Sequence, residues 1–195
     1  MIAKAFQKLN YTSVTVSSLL LVGVSYYYSN LEFMWSPFES RLLNGILIFG
    51  ALMLTNYAID TVTRQLTIER TNRNAYHLLL YPLVVFSFPV ETVDMRFILA
   101  SAATWSAWRN TRLFFEATNN NEKLKRLFDA ALLICFASVF ILENILVLLM
   151  PLILLFIANV KRDIKHFIII IGTPLITLPT IYFIISFIGI DLQLF

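Results

Sequence analysis

Residues 109–129, RNTRLFFEATNNNEKLKRLFD, form the longest polar interruption in an otherwise apolar sequence. They carry five of its fifteen Lys and Arg residues: Arg109, Arg112, Lys123, Lys125 and Arg126. Cationic side chains in short loops resist translocation, so the side of a membrane on which this loop stays fixes the sides of all the others. Outward from it in both directions the chain divides into apolar runs separated by short charged breaks.

Composition sets the solvent. Apolar types make up 58% of the 195 residues, only 14% are charged, and the mean hydropathy is +0.75. An ordinary soluble domain is about 45–50% apolar and about 25% charged, and a fold of this size has too little interior to hide the excess. Lipid is the expected surroundings for most of the chain. The net charge of +3 does not point to nucleic acid, because the bases sit in the breaks between apolar runs, where they orient a membrane protein. The runs are continuously apolar with no alternation of period two, which excludes β-barrel spans and predicts an all-α, polytopic transmembrane bundle forming one integral membrane domain over residues 1–195.

Seven runs are expected as spans: residues 11–28, 42–59, 75–90, 93–108, 127–142, 145–160 and 167–190. The first follows Lys4 and Lys8, and it ends in Tyr26, Tyr27 and Tyr28 where a signal peptide would carry small residues; it reads as an uncleaved span with an interfacial aromatic belt. The third and fourth runs have only 16 residues each, or about 24 Å of helix against a slab of about 30 Å. They form a recessed pair or a re-entrant hairpin, leaving five spans in the second case. Glu91 between them, and Asp94 and Arg96 at the start of the fourth, are then polar groups at or within the membrane, costly unless paired or wetted. The fifth and sixth runs are parted only by Glu143 and Asn144, where a tight helical hairpin is expected, and Pro174 and Pro179 are expected to kink the seventh.

With the N-terminus cytoplasmic and every run crossing, the cytoplasmic breaks hold two, three, five and three bases, while the opposite face holds only Arg41 and Arg96; the twelve acids divide evenly. This is a positive-inside pattern made by Lys and Arg alone.

Within the organising loop, Glu122 and Arg126 are spaced as an acid-first helical pair, as are Glu116 and Asn120. Arg109, Arg112, Lys125 and Arg126 are the candidates for binding an anionic lipid headgroup or a lipid-linked phosphate. Asp129, within the start of the fifth run, is expected to pair with Lys125 or Arg126. Cys135 stands alone and reads as a packing residue, and His77 and His166 near run ends read as interfacial residues without metal-ligand spacing. Asn44, Asn56 and Thr104 read as hydrogen-bonding glue between helices. No metal site, cofactor motif or phosphate-cradling glycine loop is found.

The segments WRNTRLFF from Trp108, KLKRLFDAALLICFASVF from Lys123 and IIGTPL from Ile170 resemble an uncharacterised family of multi-pass inner-membrane proteins of Bacteroidota, over residues 105–180. The resemblance implies the bacterial inner membrane and supplies no activity. A weaker similarity, in span number and in carboxylates on the first outer loop, is to polytopic glycosyltransferases that use lipid-linked sugars. It implies Glu32 or Glu39 as general base. Without a catalytic constellation the leading expectation is a nonenzymatic component or accessory of a cell-envelope assembly, with the bilayer and a membrane protein as partners; a small-solute transporter is the further alternative.

Overall fold

The computed structural model describes residue 6 and residues 11–31, 37–64, 75–88, 93–157 and 164–188. All regular structure among them is helical. In chain order the elements are α1 (Tyr11–Ser29), α2 (Arg41–Arg64), α3 (Tyr76–Ser87), α4 (Met95–Glu116), α5 (Asn120–Phe140), a 3-10 helix (Leu142–Leu148), α6 (Leu149–Ile157) and α7 (Ile164–Ile188). Residues 41–63 of α2 and 164–184 of α7 are each long and apolar enough to cross a membrane. The chain forms two compact units, residues 1–102 and 103–195.

In the first unit α1 packs against α2 and α3. Leu21, Val24 and Tyr28 of α1, Ile48, Ala51 and Leu52 of α2, and Met95, Ile98 and Ala102 of α4 make its principal core. The aromatic belt expected at residues 26–28 is divided. Tyr26 and Tyr27 are exposed, whereas Tyr28 is fully buried and its hydroxyl donates to the Val85 carbonyl of α3. Tyr28 is therefore a clamp between helices, placed there because every third or fourth residue of α1 faces the core. At the same end Gly45 brings α2 close to α1, since a Cβ at this position would lie 3.2 Å from the Ser29 Cβ. Gly45→Leu is expected to force the two helices apart at a cost of about 1–3 kcal/mol, seen as a lower midpoint in thermal melts of the purified chain.

In the second unit α5 and α7 make the most extensive contact. Ala130, Ala131, Cys135 and Ala137 of α5 are all buried, and small side chains of this kind let helix backbones approach closely. Ala107 and Phe114 of α4, Leu127, Ala131 and Ile134 of α5, and Ile170 of α7 share one core with Leu148 and Leu155. Cys135 is a free thiol inside this packing.

The helix bounds depart from the apolar runs in instructive ways. The run at 75–90 forms a helix of only 12 residues, about 18 Å long. The run at 93–108 belongs to a helix of 22 residues that continues through Arg109, Asn110, Thr111 and Arg112 to Glu116, or about 33 Å. Arginine is a good helix former, and a polar surface residue ends hydropathy without ending the helix. Likewise α5 begins at Asn120, seven residues ahead of the apolar run, with Asn119 as its cap: the Asn119 side chain accepts from the Asn121 amide at 3.1 Å.

The break after α5 falls at Ile141, which is extended, and not at Glu143-Asn144. Asn144 then donates from Nδ2 to the Ala137 carbonyl at 3.5 Å, and the following turns are 3-10 before α6 begins. Pro174 and Pro179 do not interrupt α7. Thr177 donates to the Thr173 carbonyl at 2.8 Å, closing its hydroxyl on the helix's own backbone. Many other hydroxyls do the same, including exposed Thr15, Ser18 and Thr180. This is how a polar side chain on an apolar helix avoids an unsatisfied donor.

Candidate functional site

The expected site residues are dispersed. Glu32 and Glu91 lie outside the described residues. Glu39 is exposed in the segment just before α2, and no second carboxylate of the described residues is shown beside it. Asp94 and Arg96 pair with one another, Arg96 Nε lying 2.7 Å from Asp94 Oδ2, and the other Asp94 oxygen accepts from the Arg96 amide at 3.3 Å. Asp94 is thus the N-cap of α4, and the partial positive charge of that helix end favours its carboxylate. The cost foreseen for these two charges is met by the pair they make.

The basic candidates flank the turn at residues 117–119. Arg112 bonds Glu116 at 3.3 Å and Arg126 bonds Glu122 at 3.4 Å. The second of these is the acid-first pair read from the spacing. The expected pairing of Glu116 with Asn120 is not formed, because the helix stops between them and an i,i+4 pair needs a continuous helix. Among the described residues no ion pair joins Asp129 to Lys125 or Arg126. Arg126 reaches back to Glu122, and the base-first order of Lys125 and Asp129 is the weaker orientation on a helix. Arg109 is half-buried on α4 and Lys125 is exposed on α5. Exposed pairs of this kind are worth about 0.2–1 kcal/mol.

The concentration of buried polar chemistry lies instead in the first unit, between α1, α2 and α3. Asn56 and Asp60 are one turn apart on α2, and both are buried. Opposite them Ser17 of α1 is buried and donates from Oγ to the Leu78 carbonyl of α3 at 2.8 Å. Asn56 Nδ2 donates to the same Ser17 oxygen at 3.0 Å, while Asn56 Oδ1 is buried with no hydrogen-bond partner. One turn along, His77 Nε2 lies 2.9 Å from Asp60 Oδ1, with side-chain exposures of 16% and 6%. A cavity of about 140 Å³ opens against this network, walled by Val14, Ser17, Ser18, Met53, Asn56, Tyr57, Asp60 and Leu78.

His77, largely out of solvent on α3, is bound to Asp60 near the end of α2. His166 likewise is buried, with its ring edge-on to Phe114 at 5.2 Å. Asn56 does bridge helices, as its expected role required, but only half of its amide is used. The signal in the sequence was the i,i+4 spacing of Asn56 and Asp60, which places an amide and a carboxylate on one helical face. Nothing local announces that Ser17, His77 and the Leu78 carbonyl meet that face.

A larger cavity of about 440 Å³ lies between the other ends of α1 and α2, with mainly apolar walls and Arg41 at its edge. Among the described residues no group of three or more His, Cys, Asp or Glu side chains is arranged to hold a metal ion. Comparison with family models, with curated proteins and with solved structures finds no match for this chain.

Proposed function

We propose that the protein is a nonenzymatic multi-pass component of a bacterial inner membrane, an accessory or subunit of a cell-envelope assembly, with its N-terminus in the cytoplasm. The observation that carries this reading is the apolar surface of α7. The helix is long enough to cross, little of it is buried within the fold, and Leu175, Ile176, Tyr182, Phe183 and Phe187 stand 64–85% exposed. Water would not tolerate a patch of this size on a stable monomer; lipid and a neighbouring membrane subunit both would. The positive-inside count supports seven crossings, and treating 75–108 as a pair that does not cross leaves five with every other loop on the same side. The short α3 favours the second arrangement for its own segment.

The family resemblance over residues 105–180 supports the inner membrane as the compartment. The glycosyltransferase reading gains no support, since Glu39 is a solvated loop residue. A small-solute carrier is the second reading, and the cavity beside Asp60 and His77 is what favours it.

The threading is tested with single cysteines at positions 36 and 118 in a Cys135→Ser background, using a membrane-impermeant thiol reagent on intact cells and on inverted vesicles. Ser36→Cys is expected to react only from outside and Thr118→Cys only from the cytoplasmic side. Reaction of both from one compartment overturns the topology. Recovery of a stoichiometric membrane partner in mild detergent tests the subunit role.

A further inference from the structure

We propose that the groove between the end of α1 and the start of α2 seats one phospholipid, an acyl chain lying along it and the phosphate held by Arg41. The argument starts from where the charge stands. Arg41 is the first residue of α2, the helix whose residues 41–63 are long and apolar enough to cross a membrane. It is exposed, and among the described residues it makes no ion pair and no side-chain hydrogen bond, Glu39 two residues earlier included. A crossing helix brings its first residue to the headgroup layer, where the anions within reach are phosphates. A guanidinium binds a phosphate through two parallel N–H bonds.

The second observation is the polarity of the groove. Ser25 Oγ donates to the Val22 carbonyl at 2.9 Å, and Ser29 Oγ and Asn30 Nδ2 each donate to the Tyr26 carbonyl at 2.8 Å. These polar walls are turned onto α1 itself, while Leu42, Ile46 and Phe49 wall the groove from α2. The result is an apolar trough with a cation at one end. A sugar or a free phosphate calls for several convergent polar groups, and a wholly apolar partner makes no use of the guanidinium. A phospholipid matches both ends.

Length and volume agree with one chain. The walls run from Val22 to Asn30 on α1 and from Arg41 to Phe49 on α2, about 12 Å of helix, against about 15 Å for one leaflet of the hydrocarbon core. The volume of about 440 Å³ is about three times that of an engineered cavity of about 150 Å³ that holds benzene. Val22, Tyr26, Leu42 and Ile46 line the groove and are 48–72% exposed. It is therefore open along its side, and a chain enters from the bilayer.

This inference rests on the membrane reading but not on the subunit role, and its site is separate from the basic candidates at residues 109–126. Failure of the cysteine test would move Arg41 to the other leaflet and leave lipid binding in detergent intact, whereas absent lipid binding leaves the threading intact. The full-length chain, delipidated in dodecyl maltoside, is titrated with dioleoylphosphatidylglycerol in mixed micelles and followed by thermal melting and native mass spectrometry. Inorganic phosphate and dioleoylglycerol are the controls. A saturable rise in melting point is expected with the phospholipid alone, together with one retained lipid per chain that is missing in Arg41→Gln. That variant should weaken the phospholipid at least tenfold. Ile46→Trp, which fills the trough from a position 60% exposed, should weaken it as much without lowering the unliganded melting point, and it serves as the readout should Arg41→Gln fail to fold. An equal response to inorganic phosphate marks a free-anion site, and an equal response to dioleoylglycerol marks a groove that ignores the headgroup. Either result overturns the proposal, as does a response that does not saturate or undiminished binding in folded Arg41→Gln or Ile46→Trp.

Discussion

Phe114→Ala is expected to lower the unfolding free energy by about 3–5 kcal/mol, the usual cost of emptying an aromatic site in a packed interior. Phe114 is fully buried in the second unit, with ring centroids 5.0 Å from Phe115 and 5.2 Å from His166, both edge-on. Such aromatic pairs add about 0.5–1.5 kcal/mol to the area buried. His166 lies in the first turn of α7 and Phe114 near the end of α4, so the ring ties two distant parts of the chain together. Reversible unfolding in mixed detergent, with Phe115→Ala as the partly buried comparison, checks the value. A loss below about 1 kcal/mol for Phe114→Ala would mean that the site collapses freely and that the core described here is not tightly packed.

Asp60→Ala is expected to cost about 1–3 kcal/mol, because it removes the carboxylate that His77 Nε2 meets at 2.9 Å, with both side chains largely out of solvent. His77→Ala in the same background should restore part of the loss, and a double-mutant cycle should return a coupling of about 0.5–3 kcal/mol. Additive single-variant losses would show that Asp60 stabilises the fold without His77. By contrast Arg126→Ala, which removes an exposed i,i+4 pair with Glu122, should fall within about 0.5 kcal/mol of the parent.

Helical class and polarity were legible from the chain because they depend on local properties. Hydropathy reports which residues avoid water, and all regular structure among the described residues is helical, two of its helices being of crossing length. The acid-first pair Glu122 and Arg126 was legible for the same reason, since an i,i+4 contact needs only a continuous helix. Helix ends were less so. An apolar run does not measure a helix: α4 continues eight residues past its run and α5 starts seven before its own. Backbone hydrogen bonding continues wherever side chains permit, whether or not those side chains are apolar.

The candidate site was the least legible part. Asn56 and Asp60 share a face by spacing alone, but Ser17 is 61 residues from Leu78 and 39 from Asn56 in the chain. Which serine, which carbonyl and which histidine complete the network depends on the rotation and depth at which α1 and α3 pack on α2. Tyr26, Tyr27 and Tyr28 give the same lesson, because one of three identical neighbours was chosen as a clamp by the direction of the α1 core face.

By itself the chain determined an apolar, all-helical protein, an asymmetry of bases between its loops, and the pairs that a single helix can make. Only the tertiary structure decided that Tyr28 reaches the Val85 carbonyl, that His166 lies against Phe114, and that Asn56 and Asp60 wall a cavity with Ser17. The division follows from range. Periodicity and charge placement are written within a few residues, whereas contacts between helices depend on how whole faces settle against each other.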